Sequence, residues 1–173
     1  MNRIAVIRNR GGGKTTLSRK LKELYSLPLT HVDSIQYIEE MQKRDESETR
    51  KILNELADQD KWIIDGFGPM DVMERRFELA DLVVFVDFPL WRHYWWCTKR
   101  QVKSIWRPRS ELPNNCNEAT FSHTFKLYKI LWRVHKQIRP RLLEIFSRSE
   151  MTAKVQTVKT VSKWNSVSKG SFT

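Results

Sequence analysis

The sequence predicts a three-layer α/β fold, a parallel sheet of about five strands flanked by helices, and three observations carry that prediction. Short apolar runs recur as "RIAVI" at 3–7, "LTHV" at 29–32, "KWIID" at 61–65 and "DLVVFVD" at 81–87. The longer ones are continuously apolar and not alternating, as strands buried on two faces are. The stretches between them carry helical spacing, and strands alternating with helices are the pattern of parallel right-handed crossovers.

Taken in order, "RIAVI" runs straight into a glycine cluster and reads as a buried strand entering a turn. A helix follows, with Leu17, Leu21, Leu24 and Tyr25 on one face and Pro28 closing the segment. The second strand ends in Asp33; residues 34–46 are less regular, and 47–59 suit a helix with Ile52, Leu53 and Leu56 inward. Two further strands, at 61–65 and 81–87, are separated by a short helical stretch. From Pro89 onward the chain turns helical. In the helix over 89–106, Arg92, Lys99, Lys103 and Arg107 fall within roughly 80° of one another, a cationic strip. "RPRSELPNNCNE" at 107–118 is a loop. The next helix, from 119, sets Ser122, Lys126, Lys129, Arg133 and Lys136 outward and leaves Phe121, Phe125, Tyr128, Trp132 and Val134 to pack. "AKVQTVKTV" at 153–161 is the last strand, and the Ser-rich end at 166–173 is expected to fray, so that one domain spans 1–165.

A chain of 173 residues is the size of one domain, and 40% apolar content supports a packed core. The longest apolar run, "LVVFV" at 82–86, is far short of a membrane span, and the residues before the glycine cluster lack the apolar stretch of a signal peptide. A cytoplasmic protein with no membrane partner is expected. Cys97 and Cys116 lack the paired spacing of a zinc site and are assigned packing alone. Charge is divided unevenly. Residues 1–87 hold 14 Lys/Arg and 16 Asp/Glu, a net of −2, whereas residues 88–173 hold 17 against 4, a net of +13. The second half seeks anions, whether the phosphates of a nucleotide or a nucleic-acid backbone.

The chemistry concentrates around "GGGKTT" at 11–16. In a phosphate loop of the form G-x-x-x-x-G-K-[ST], glycines let backbone amides wrap a phosphate, the lysine reaches the β- and γ-phosphates and the hydroxyl ligates magnesium. Gly13, Lys14 and Thr15 satisfy the second half of that pattern, on a strand-to-helix turn. Gly11, Gly12, Gly13, Lys14, Thr15 and Thr16 are therefore the candidate ATP-binding residues, with Thr15 a candidate Mg2+ ligand. Arg8 stands where the first glycine belongs.

Asp33, Asp65 and Asp87 follow three successive strands, at the sheet edge where ligands collect in open α/β folds. Each could instead cap a helix or shape a turn. Their joint placement beside Lys14 favours a magnesium or acceptor site. Asp65 is the candidate outer-sphere Mg2+ ligand, and Asp33 the candidate residue to orient or deprotonate an acceptor hydroxyl.

"IDGFGP" at 64–69 and "FVDFP" at 85–89 resemble the strand ends of adenylate-kinase-like nucleoside monophosphate kinases. A closer resemblance, over about residues 1–165, is to the FlaR-like "DNA topology modulation" proteins, on "HVDSI" at 31–35, "WIIDGF" at 62–67, the 107–118 loop and "IRPRLLEIF" at 138–146. That resemblance implies a P-loop NTPase fold of the kinase type, with a helical lid at about 99–118 whose Arg100, Arg107 and Arg109 close over the phosphates and stabilise the transferring phosphoryl group. The chain departs from the family at Arg8 and Arg10, where glycines are usual.

The function expected is an Mg2+-dependent, ATP-dependent phosphotransferase acting on a small acceptor. Two other readings remain beside it: a nucleic-acid-binding P-loop protein with weak or lost kinase activity, and a polynucleotide 5′-kinase. The sequence leaves the acceptor and the oligomeric state open.

Overall fold

Five parallel strands form one sheet in the order β2-β3-β1-β4-β5, in a computed structural model that describes residues 1–8, 14–38, 42–106 and 121–172. Of residues 8, 14, 15, 100–106 and 121–126 it describes the backbone alone. The strands are β1 (Arg3–Arg8), β2 (Leu29–His31), β3 (Trp62–Asp65), β4 (Leu82–Val86) and β5 (Val155–Val158). The helices are α1 (Lys14–Tyr25), α2 (Val32–Gln36), α3 (Glu46–Ala57), α4 (Met70–Leu79), α5 (Leu90–Trp106), α6 (Phe121–Arg133), α7 (Arg139–Phe146), α8 (Ser149–Thr152) and α9 (Val161–Val167). This is the three-layer parallel architecture that the apolar runs predict.

Side chains of β1, β3 and β4 alternate between two separate cores, which is why those strands read as unbroken apolar runs. Ala5, Ile7, Ile64, Val83 and Phe85 face one cluster with Leu53, Phe77 and Phe146. Ile4, Val6, Ile63 and Val84 face the other, with Leu17, Leu21 and Val167. Burial of both faces leaves Ile4 through Ile7 with no exposed surface. At about 25 cal/mol per Å² of apolar area removed from water, this doubly covered centre is the main source of stability.

Several sequence expectations need correction. Residues 34–46 begin inside an ordered element, because β2 ends at His31 and α2 turns the chain at once, burying Val32 and Ile35; an isolated bridge then joins Tyr37 to Lys43. Leu24, assigned to the inner face of α1, is 47% exposed. Trp132 is also turned outward, at 51% exposure, while its neighbour Leu131 is fully buried. The cause is the partner of α6: it packs on α5 through Tyr128 against Tyr94, 4.9 Å between ring centroids, and not on the sheet. α6 does not run on as a regular helix but passes into a π-helical turn at Val134–Ile138. At the far end the fold continues past 165. Val167 is buried in the second core, with Phe172 packed against the same cluster and stacked on Tyr25 at 6.4 Å. Cys97 is buried, at 4% exposure, as a packing residue should be; Cys116 lies outside the described residues.

Candidate functional site

Parallel strands present all their carboxyl ends at one edge, and the strand order fixes which residues meet there. Register pairs His31 with Asp65 across β2 and β3, Val6 with Asp65 across β1 and β3, and Arg8 with Val86 across β1 and β4. Central β1 therefore leads toward α1 between the ends of β3 and β4. Lys14 is the first residue of α1, at the helix terminus where backbone amides and the helix dipole favour an anion. Gly11, Gly12 and Gly13, with Arg10, lie outside the described residues; the side chains of Lys14 and Thr15 do too, whereas Thr16 is exposed on the first turn of α1.

Asp65 is only 4% exposed, and its Oδ2 accepts a hydrogen bond from His31 Nδ1 at 3.0 Å. That donor follows directly from the β2–β3 register. Behind it sits Arg76 of α4, 2% exposed, whose Nη2 donates to the Gly66 carbonyl at 2.8 Å. Burial pushes the Arg76 guanidinium down to about 10, while the nearby Asp65 carboxylate opposes the shift. A buried cation and a buried carboxylate thus lie near one another at the end of β3. Gly66 completes the turn with φ +127°, and a Cβ there would stand 3.1 Å from Val32 Cβ. Its amide donates to the Val6 carbonyl at 3.0 Å, tying the turn to the central strand.

Asp33 lies two residues beyond the end of β2, exposed on the first turn of α2. Asp87 takes a different part from the other two aspartates. Its carboxylate is held bidentately by Arg139, with Nε to Oδ1 at 2.7 Å and Nη2 to Oδ2 at 2.8 Å. The pairing raises the Arg139 guanidinium further above its ordinary value. Beside this pair lies a small cavity of about 20 Å³, room for a water-sized group, walled by Phe67, Phe88, His93, His135 and Arg139. His135 belongs to the π-helical turn, a feature frequent at functional sites because it re-aims side chains by one position. Burial first, then the charge of Arg139, holds His135 below the usual histidine value.

Mg2+ in phosphoryl-transfer sites takes one or two protein oxygens and completes its shell with phosphates and water. Among the described residues no group of three His, Cys, Asp or Glu is placed to hold a metal ion. Asp65, one oxygen of which is engaged by His31, is a carboxylate of the kind such a site uses. The side chains of Arg100, Arg107 and Arg109 fall outside the described residues, as does most of the 99–118 segment. His31, Arg76, His135 and Arg139 are the residues that sequence reasoning left without a role; only His31 and Arg139 carried a signal, inside the "HVDSI" and "IRPRLLEIF" segments. Among the described residues no helix is long and apolar enough to cross a membrane.

The sequence matches no protein-family model and, at a significant level, no curated protein. Solved structures are similar in fold. Shikimate kinase from Acinetobacter baumannii, in complex with shikimate, superposes with a TM-score of 0.62 at 18% identity, covering 98% of this chain and 90% of that one. Shikimate kinase from Bacteroides thetaiotaomicron gives 0.54 at 16% identity, covering 97% and 96%. An uncharacterized protein from Eubacterium ventriosum gives 0.50 at 12% identity over the same shares. The chain has the P-loop kinase fold.

Proposed function

We propose that the protein is an Mg2+- and ATP-dependent phosphotransferase, acting on a hydroxyl or phosphate of a small acceptor. One observation carries the reading: Lys14 opens α1 at the exit of the central strand, with the buried Asp65 on the adjacent strand at the same edge. In this reading the amides of Gly11, Gly12 and Gly13 cradle the β-phosphate, Lys14 spans the β- and γ-phosphates, and Thr16 supports the first turn. Thr15 ligates the metal and Asp65 orders its water shell; Mg2+ supplies charge neutralisation on the β- and γ-oxygens. Asp33 orients the acceptor hydroxyl and takes its proton as the acceptor oxygen bonds to the γ-phosphorus and the bond to the leaving ADP oxygen breaks. Arg100, Arg107 and Arg109 stabilise the charge on the phosphoryl group in transit. The FlaR-like resemblance and the kinase-like fold support the class of reaction.

The test is transfer of labelled γ-phosphate from ATP to nucleosides, nucleotides, small metabolites and 5′-hydroxyl oligonucleotides, with Lys14→Ala as control. Lys14→Ala should abolish transfer while its circular dichroism and melting temperature stay those of the parent. Undiminished transfer by that variant would remove the assignment.

A further inference from the structure

We propose that the outer face of the α5–α6 hairpin binds single-stranded nucleic acid, its exposed tryptophans stacking on bases and its cations following the phosphates. Trp91 is 63% exposed, Trp95 61% and Trp132 51%, an unusual outlay of large aromatic surface. Trp91 and Trp95 lie one turn apart on α5, and with Arg92 and Lys99 they fall within about 100° of one side of the helix. Trp132 lies about 40° around α6 from Tyr128, the residue that meets Tyr94 and Thr98 of α5. Arg92 sits 5.4 Å from the Trp91 ring centroid and 5.7 Å from that of Trp96, so one cation already lines the aromatic strip.

Charge identifies the occupant as an anion. Residues 88–110 and 119–143 contain no Asp or Glu, while Lys99, Arg133 and Lys136 are exposed there. A second copy of this chain would set cations against cations across a symmetric interface. An interfacial membrane helix needs a continuous apolar face to insert; α5 turns that face inward, burying His93 and Cys97 and packing Trp96 on Phe88 at 5.2 Å. What remains outside is planar aromatic surface interleaved with cations, the composition of a sequence-tolerant stacking platform.

Fluorescence anisotropy of the full chain with fluorescein-labelled dT20, without ATP, tests this separately from phosphotransfer. Parent protein should bind dT20 more tightly than a duplex of the same length. Trp91→Ala and Trp95→Ala should each weaken it roughly 5- to 150-fold, with unchanged melting temperature because both side chains are exposed. Lys99→Gln should lower the slope of log affinity against log salt by about 0.7. Tryptophan variants that bind dT20 like the parent, equal affinity for duplex, or poly-glutamate competing as well as dT20 would overturn the proposal. So would tryptophan-dependent binding to phosphatidylserine vesicles without binding to dT20.

Discussion

Replacing Arg139 by Gln tests the half-buried ion pair that ties α7 to the end of β4. Asp87 has a side chain 6% exposed and Arg139 one 32% exposed, and two parallel hydrogen bonds join them. Removing one partner of a fully buried pair costs about 3–5 kcal/mol, because the other charge is stranded, whereas a surface pair is worth about 0–1. With the carboxylate buried and the guanidinium a third exposed, the expectation lies between these limits, about 2 kcal/mol. At about 2–4 °C per kcal/mol for a domain of this size, Arg139→Gln should melt about 4–8 °C below the parent. Arg139→Lys keeps the charge but loses the fork and should fall between. Asp87→Asn should be milder, since the arginine can turn to water. The double variant should lose less than the two singles together, a coupling of about 1–2 kcal/mol. Thermal and urea unfolding of the four proteins make the measurement. A melting point for Arg139→Gln within about 1 °C of the parent, or strict additivity, would refute the pair as an organising element.

Two further expectations concern the same edge. Gly66→Ala should cost about 1–3 kcal/mol, because φ is +127° and the new Cβ would meet the Val32 side chain at 3.1 Å; Gly68→Ala, which meets only a Leu53 methyl at 3.2 Å, is the milder control, and equal melting of the two variants would contradict the strain. For His135 the sign follows from its depressed value: burial and Arg139 disfavour the charged ring in the folded protein, so as pH falls the unfolded chain takes up its proton first. The stability that neutral His135 supports is full above the unfolded value of about 6.5 and is lost as pH falls toward the folded one. His135→Gln should therefore show a shallower fall in urea midpoint between about pH 7 and pH 5 than the parent, and parallel profiles would contradict it.

The strands were legible because burial on both faces demands apolar residues at every position, as in Ile63–Ile64 and Val83–Val84. The same property hides which face each side chain joins. Helix faces were legible only where the sheet is the partner. Leu17 and Leu21 are buried as spacing requires, but Trp132 is not, since the inner side of α6 is set by Tyr94 on α5. The five residues of α2 are too few for a helical period to declare itself; Ser34 Oγ donating to the His31 carbonyl at 2.7 Å braces that turn. In the site, Lys14 was legible from a local pattern, whereas the His31–Asp65 contact depends on β2 lying beside β3, a fact of strand order and not of spacing. Arg139 and Asp87 stand 52 residues apart, and the pair becomes visible only once α7 is docked at the end of β4.

Arg8 gains its meaning from the same topology. The phosphate-loop pattern asks for glycine at that position, yet residue 8 is the last residue of β1, in ladder register with Val86. Extended strand backbone is open to every L residue, so nothing in the main-chain geometry at position 8 requires a missing Cβ. Beyond the ladder the sequence supplies Gly11, Gly12 and Gly13 directly before Lys14. Retention of the lysine-bearing half is what the proposed phosphate binding depends on.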